Sequence, residues 1–425
     1  MNFKVIANSL LFKVVLAIIL GIVCSLFFPV WLARVFVTFN GLFGNFLGFF
    51  VPVLIFALIT PAIAGLGRGA GKWLGITTGV AYGSTIISGL IAYGLSVALY
   101  PSMLAGQELM TNVDDIDEGA LAPYFNVEIA PPFEVMTALV LAFCVGLAMT
   151  VVKSNTLYAA SRDLERVIMK VIEVFVIPLL PIFIFGIFLN LGMNDNLGSV
   201  MMAFGKVLVL AVVMTLVYLL IQYIIAGAIA GKNPFVALKN MSPAYFTALG
   251  TSSSAATIPV TLRSAKRNGV DDNVAGFVIP LCATIHLAGS MMKLTLYAFA
   301  IIFMTNMDVS VGLAIGFILM LGITMIAAPG VPGGAVMAAT GLLASMLGFD
   351  ESMVALMIAA YIVIDSFGTA ANVTGDGAIA MIINKFAAGQ IDAVRDEDMS
   401  DDLMYSTKSD SIDQSRSSMG STAVE

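Results

Sequence analysis

The sequence predicts an all-α protein that crosses a membrane several times, and its composition and apolar pattern lead to that fold class. Of its 425 residues, 59% are hydrophobic and 11% are charged, and the mean hydropathy is +0.99. A soluble domain carries about 25% charged residues, because water must wet its surface. Apolar runs of about 20 residues, enough to cross a bilayer as a helix, recur along the chain. We therefore expect lipid to surround most of the fold.

Six apolar runs predict six ordinary spanning helices before residue 231. The stretch 101–132, between the third and fourth runs, is acidic and has neither Lys nor Arg, which predicts an acidic outer loop. The acidic residues at its centre are Asp114, Asp115, Asp117 and Glu118. The six runs are Leu10–Phe28, Phe43–Leu66, Leu74–Tyr100, Val135–Val152, Val171–Leu191 and Val200–Ile229.

Basic residues predict the orientation of these helices. They follow the second, fourth and sixth runs, whereas the alternate loops hold almost none. The positive-inside rule then predicts cytoplasmic N- and C-termini for a multi-pass protein of the cell inner membrane. The basic residues are Arg68, Lys72, Lys153, Arg162, Arg166, Lys170, Lys232 and Lys239.

After Lys232 the apolar stretches become short and broken, which predicts two re-entrant helical hairpins, each followed by a helix. With the earlier runs this gives eight transmembrane helices plus two hairpins arranged as an inverted repeat, and transporters build their sites where such broken helices meet. Irregular backbone at this depth must lie against protein or a water-filled cavity. The stretches are Pro243–Val260, Val274–Met304 (interrupted at Thr284–Ser290), Val311–Leu347 (interrupted at 328–334) and Met353–Phe386.

The last stretch carries a polar stripe of Asp365, Thr369, Asn372 and Asp376. Their spacing of four, three and four residues places them on one helix face. Such groups are costly against lipid and are expected to face a cavity or bound cations. An interhelical hydrogen-bond network is the alternative, but two carboxylates on one face favour a cation.

The two predicted hairpin tips differ in chemistry. Ser252–Ser254 supplies hydroxyl groups, unless it is only a flexible surface turn. The glycines of Pro329–Gly334 expose backbone N–H and C=O groups and permit hinging. That suits a gate, although a plain loop is the alternative.

Several classes of function are disfavoured by the sequence. The cysteines, Cys24, Cys144 and Cys282, lie in apolar runs without metal-ligand spacing, and His286 is the single histidine. An enzyme would need a nucleophile and a base, which one histidine without a nearby acid does not supply. A channel would need rings of like charge, and a nucleic-acid partner a basic stripe.

The chain resembles the dicarboxylate/amino acid:cation symporter family, the glutamate transporter family, as a prokaryotic member. The family's serine-rich hairpin is present as Ser252-Ser-Ser-Ala-Ala-Thr-Ile-Pro259, and its second hairpin as Pro329-Gly-Val-Pro-Gly-Gly334. The family pattern Asp-x-x-Arg-Thr-x-x-Asn-x-x-Gly-Asp is present as Asp365-Ser-Phe-Gly-Thr-Ala-Ala-Asn-Val-Thr-Gly-Asp376. The resemblance covers nearly the whole chain and is strongest over 245–385.

The resemblance implies an elevator-type homotrimer that transports a small molecule. Residues 1–72 would be scaffold spans 1 and 2, and residues 73–100 would be span 3 of the transport domain. Residues 101–230 would hold the outer loop and spans 4 to 6, and residues 231–385 the transport core. Residues 386–425 are polar and are expected to form a disordered cytoplasmic tail.

The resemblance also implies the ligands of an amino-acid substrate. Asp365 would pair with its α-amino group. Thr369, Asn372 and the Ser253–Ser254 tip would hold its α-carboxylate. The other residues that would line the substrate site are Gly330, Val331 and Gly368.

Sodium is the cofactor that the resemblance implies, and oxygen ligands suit that hard cation. Asp376 and the carbonyls of Cys282, His286 and Asn372 would form one site. The carbonyl of Thr284 and those of Ala327–Gly330 would form a second.

Three positions depart from the family pattern, and the first concerns the substrate. Gly368 stands where the family has an arginine that grips the side-chain carboxylate of an acidic substrate. Because an unpaired buried carboxylate is costly, Gly368 favours sodium-coupled symport of a neutral amino acid.

The second departure concerns ions. Ala288 replaces the aspartate of a third sodium site, and Ile86, beside Thr85, replaces a hydroxyl residue. His286 could substitute for that sodium as a fixed cation or proton carrier, since imidazole titrates near neutral pH. The alternative is a neutral ring that bonds only backbone.

The third departure is Lys293, where the family usually has tyrosine. A lysine inside a membrane needs a partner, and Asp365 and Asp376 are the candidates. Lys293 could replace a sodium ion, or compensate for Gly368 in a proton- or sodium-coupled symporter of an acidic amino acid or dicarboxylate. Otherwise it could extend its ammonium to water.

Overall fold

A computed structural model of the chain describes residues 10–66, 71–106, 121–152, 155–193, 197–326, 328 and 333–389. Regular structure in these ranges is entirely helical, which confirms the all-α fold. Six helical segments are long and apolar enough to cross a membrane. The prediction of a multi-pass membrane protein is therefore supported by the fold.

The helices of the N-terminal half are close to the six apolar runs, with two differences. They are α1 (Leu10–Ser25), α2 (Val30–Leu66), α3 (Gly71–Met103), α4 (Val135–Val152), α5 (Asn155–Val171), α6 (Ile177–Gly192) and α7 (Leu197–Ala230).

Helix α2 begins at Val30 instead of the predicted Phe43. Polar residues in its first turns interrupt the apolar run, but they have partners in the loop that precedes α4. Arg34 Nε donates to the carbonyl of Ala122 at 2.9 Å, and the Tyr124 amide donates to Thr38 Oγ1 at 2.8 Å. These partners lie far away in the sequence, so the apolar run could not reveal the start of the helix.

Helix α5 occupies the basic segment that follows the fourth apolar run, where the sequence predicted no helix. It continues through a π-helical turn, Ile172–Val176, into α6. Its exposed face carries ion pairs three residues apart, Arg162–Glu165 and Asp163–Arg166, both at 2.7 Å. Pairs at this spacing support a helix without an apolar run.

The C-terminal half consists of shorter helices in pairs, followed by one long helix. The helices are α8 (Pro234–Asn240), α9 (Ser242–Thr251), α10 (Ser254–Arg267), α11 (Asp272–Ile285), α12 (Ala288–Met304), α13 (Val311–Met325), α14 (Gly334–Leu347) and α15 (Glu351–Ala387). Helices α9 and α10 pack against each other, as do α13 and α14.

Two of the predicted interruptions lie within the described residues, and both are confirmed. Helix α9 ends at Thr251, the following residue Ser252 has a left-handed φ of 50°, and Ser253 caps α10. The backbone leaves helical geometry at His286 and Leu287, between α11 and α12. The chain therefore turns at the serine-rich tip and unwinds beside the histidine.

Helix packing divides into two groups. In the first, α2 contacts α4, α5 and α6, and α1 contacts α6. In the second, α15 is central and contacts α7, α9, α10, α11, α12 and α14, while α3 packs on α12. Large aliphatic side chains are exposed on the outer surface of the helices, for example Leu147 on α4 and Leu216 on α7. The polar stripe therefore lies on the central helix of the second group.

Some predicted features lie outside the described residues. These are the acidic centre of the outer loop, Arg68, Lys153, the second hairpin tip with Gly330 and Val331, and the tail from residue 390.

Gly289 allows α12 and α15 to approach closely. A Cβ atom there would lie 2.6 Å from the carbonyl oxygen of Gly368 and 2.8 Å from Cβ of Ala371. Small residues permit such backbone contact between membrane helices.

We expect Gly289→Ala to destabilise the fold by about 1–3 kcal/mol, because backbone atoms must shift to admit the methyl group. Thermal unfolding of the purified protein in detergent measures this loss. Gly79→Ala in α3 is the matched control, since a Cβ atom there meets open space. An equal unfolding temperature for the two variants would contradict the close contact of α12 and α15 at Gly289.

Candidate functional site

The four side chains of the polar stripe are buried along one unbroken helix. Asp365, Thr369, Asn372 and Asp376 are each at most 6% exposed on α15. The stripe faces the break between α11 and α12 and the start of α14. The structure thus brings these four predicted residues together in the protein interior.

Asn372 holds the first turn of α12. Its Oδ1 accepts from the backbone amides of Gly289 at 2.8 Å and Ser290 at 3.3 Å, and its Nδ2 donates to Ser290 Oγ at 3.0 Å. The first amides of a helix have no partner within it, and Asn372 supplies one from α15. Its predicted role toward a substrate stays a prediction.

Asp365 joins three helices through its carboxylate. The amide of Gly333, just before α14, donates to Oδ2 at 2.8 Å. Lys293 Nζ on α12 lies 3.4 Å from Oδ1. Thr369 Oγ1 donates to the Asp365 carbonyl oxygen at 3.1 Å. Both carboxylate oxygens therefore have partners.

Lys293 is fully buried, so the interpretation that it extends to water is wrong. Its ammonium donates to the carbonyls of Ile364 at 3.3 Å and Asp365 at 3.1 Å, and lies 4.2 Å from the centre of the Tyr361 ring. An ammonium at this distance from an aromatic face is attracted to it. Of its two candidate partners, the structure pairs it with Asp365.

Gly368 provides the space that Lys293 occupies. A Cβ atom at residue 368 would collide with Cε and Nζ of Lys293. A larger residue at position 368 would therefore require the Lys293 side chain to move from its present contacts. Where the family carries an arginine on the last helix, this chain places an ammonium that reaches across from α12.

His286 and Asp376 form a buried pair at the helix break. Nδ1 lies 2.9 Å from Asp376 Oδ1, and Nε2 lies 3.1 Å from Ser84 Oγ and 3.3 Å from Gln222 Nε2. Gln222 Nε2 also donates to Ser84 Oγ at 2.8 Å. The interpretation that the ring bonds only backbone is therefore wrong.

Gly375 allows the His286 ring to lie against α15, since a Cβ atom there would be 2.6 Å from Cε1. Ser84 and Gln222 were missed by the sequence analysis. The available signal was their polarity inside the apolar runs of α3 and α7, which does not by itself reveal a shared partner.

Hydroxyl groups of α3 form hydrogen bonds with the backbone around Ala288, the residue that the resemblance linked to a lost sodium site. Ser88 Oγ donates to the carbonyl of Ala288 at 2.7 Å, and the Leu287 amide donates to Thr85 Oγ1 at 3.3 Å. Ile86 packs beside Gly322. These hydroxyls anchor α3 to the broken segment.

One oxygen at the site fits a cation. Asp376 Oδ2 is buried and has no hydrogen-bond partner among the described residues. Burying a carboxylate oxygen without a partner is costly, and sodium coordination would remove that cost. The Cys282 carbonyl accepts the His286 amide at 2.8 Å and keeps a second lone pair. Asp376 and this carbonyl are therefore suitable ligands for sodium.

The remaining predicted ligands lie farther from these pairs. Ser253 Oγ accepts the Ala256 amide at 3.3 Å as the cap of α10, and Ser254 is buried. Thr284 is exposed, and its hydroxyl donates to the Leu281 carbonyl at 2.7 Å. The structure ties the serine tip to the site through the packing of α9 and α10 on α15.

Known proteins are similar to this chain over much of its length. The family model described as the sodium:dicarboxylate symporter family matches residues 10–386. The serine/threonine transporter SstT of Acinetobacter baumannii (strain AYE) is 27% identical over 380 residues, covering 87% of this chain and 94% of the relative. Excitatory amino acid transporter 3 of Oryctolagus cuniculus is 35% identical over 162 residues, covering 38% of this chain and 31% of the relative. An excitatory amino acid transporter of Caenorhabditis elegans is 32% identical over 182 residues, covering 43% and 35%.

The close contact of Gly368 with Lys293 generates a prediction. We expect Gly368→Ala to lower stability by about 1–3 kcal/mol, because the added methyl group displaces the ammonium from Asp365. In a Lys293→Ala background the same change should cost much less, which a double-mutant cycle of unfolding free energies measures.

Gly276→Ala in α11, where a Cβ atom meets open space, controls for the general effect of adding a methyl group. Equal losses from Gly368→Ala in the two backgrounds would show that Lys293 does not fill this space.

Proposed function

The chain belongs to the sodium:dicarboxylate symporter family, and we propose that it carries an amino acid together with a cation across the cell inner membrane. Membership in a symporter family makes the protein a transporter and not an enzyme, as its sequence predicts.

One observation supports this function above the others. Two buried carboxylates on one face of α15 have partners of different kinds: Asp365 already holds an ammonium group, whereas one oxygen of Asp376 has no hydrogen-bond partner in the part of the chain that the structure describes. The first environment suits the amino group of a substrate, and the second suits a bare cation. We propose that Asp365 binds the amine and Asp376 binds sodium.

A neutral amino acid is the substrate that we favour. Residue 368 contributes no guanidinium that could bind a second carboxylate on the substrate side chain. A relative that is similar over 94% of its own length, SstT of Acinetobacter baumannii (strain AYE), is named as a serine/threonine transporter.

An acidic amino acid is the second candidate, because the Lys293 ammonium occupies the space above Gly368. A carboxylate in the substrate side chain could pair with it there. The similarity of part of the chain to an excitatory amino acid transporter is consistent with this alternative. If protons replaced sodium as the coupling ion, His286 would be the proton site.

The packing supports a proposal for the mechanism of movement. We propose that α9–α10 and α13–α14 are the two re-entrant hairpins, and that eight helices span the membrane. The group around α15 would move as the transport domain against α1, α2 and their neighbours, within a homotrimer whose termini are cytoplasmic.

We expect proteoliposomes containing the protein to take up radiolabelled L-serine or L-alanine when an inward sodium gradient is present. Uptake that is unchanged without sodium would overturn sodium coupling, and uptake driven by a proton gradient alone would favour His286 as the ion site. Uptake of L-aspartate but of no neutral amino acid would select the second candidate.

Asp376→Asn should raise the sodium concentration for half-maximal uptake by at least about tenfold, since losing a charged ligand costs more than about 1.4 kcal/mol. The measurement is the sodium dependence of initial uptake rates. Asp272→Asn is the control, because Asp272 is exposed and its pair with Lys266 contributes little. A sodium dependence identical to that of the unsubstituted protein would argue against the Asp376 site.

A further inference from the structure

The pair of Lys293 and Asp365 lies where the proposed substrate amine must bind, and this has a consequence for the substrate. Within the described residues, Asp365 is the only acidic side chain in ion-pair contact with Lys293. The lysine side chain is fully buried, so water cannot compensate its charge. An ammonium that takes Asp365 away from Lys293 would therefore leave this buried cation with backbone carbonyls and the Tyr361 ring, but without an anionic partner among the described residues.

Both oxygens of Asp365 are occupied, so an incoming amine has to displace a partner. The Gly333 amide is held at 2.8 Å, whereas Lys293 Nζ lies at 3.4 Å, beyond the usual length of a charged hydrogen bond. Two ammonium groups beside one carboxylate also repel each other. Lys293 is accordingly the partner that is released.

A released Lys293 requires a new anion, because breaking a buried ion pair by removing one partner is strongly destabilising. Its ammonium lies against Gly368, on the α15 face that also presents Asp365 and Thr369. A substrate anchored by its amine at Asp365 thus has its remaining groups within reach of the lysine.

We propose that Lys293 is a specificity-determining residue that binds a carboxylate of the substrate at the moment when the substrate amine takes Asp365. One internal ion pair is exchanged for two pairs with the substrate. The site then accepts molecules that carry both groups and rejects amines that lack a carboxylate. This inference rests on the proposed function, since it assigns the substrate class of the same site.

The test uses the full-length protein in proteoliposomes and competition against uptake of radiolabelled L-serine and of radiolabelled L-aspartate. The competitors are ethanolamine, which is serine without its carboxylate, and the matched pair L-asparagine and L-isoasparagine. Asparagine keeps the α-carboxylate and isoasparagine keeps the side-chain carboxylate, so their difference identifies which carboxylate Lys293 binds.

In the unsubstituted protein we expect ethanolamine to compete at least about tenfold more weakly than the effective carboxylate-bearing competitor, equivalent to about 1.4 kcal/mol. Lys293→Met keeps a side chain of similar length without its charge. In this variant we expect ethanolamine to compete more strongly than in the unsubstituted protein, so that the difference between the two competitors becomes smaller. A damaged fold weakens all competitors and cannot produce such a gain.

An unchanged ratio in Lys293→Met, with uptake by the unsubstituted protein intact, would overturn the inference and leave the proposed function standing. If the unsubstituted protein takes up neither labelled amino acid, both the inference and the proposed function are contradicted. If Lys293→Met does not fold, ligand binding to the unsubstituted protein still tests the inference. Thermal stabilisation by ethanolamine equal to that by the better of the two asparagines would refute a requirement for the carboxylate.

Discussion

The structure depends on one constraint: charged side chains that are buried away from water need partners inside the protein. Helix α15 carries Asp365 and Asp376 into the interior, and each must find a compensating group from another helix. Lys293 and the Gly333 amide contact the Asp365 carboxylate. His286 contacts one oxygen of Asp376. Because unpaired charge is so costly in this setting, these pairs fix the position of α12, α14 and the helix break relative to α15.

Close contact between helices makes those pairs possible. Gly289, Gly368 and Gly375 line the surface where α15 meets the broken segment and its side chains. Each lies where a Cβ atom would strike a backbone carbonyl, the Lys293 ammonium or the His286 ring. Small residues and buried charges therefore act together, since the ion pairs require an approach that larger side chains would prevent.

The distribution of positive charge distinguishes this site from the family pattern. The cation expected on α15 at residue 368 is carried instead by α12, one helix away, and a histidine stands beside the second carboxylate. A lysine on a flexible stem can exchange partners, whereas the rigid arginine fork is suited to a single bidentate one. The proposed exchange of ion pairs at Asp365 depends on that freedom of Lys293.

The sequence by itself determined the fold class, the helix break near His286, the serine-rich turn and the stripe from Asp365 to Asp376. These follow from local properties: hydropathy, and spacing along one helix. It did not reveal α5 or the start of α2, because their polar residues are satisfied by ion pairs and by the distant loop at 122–124. Tertiary structure alone decided that Lys293 pairs with Asp365, and that Ser84 and Gln222 meet His286. A side chain's charge can be read from the sequence, but its partner depends on which helices pack together.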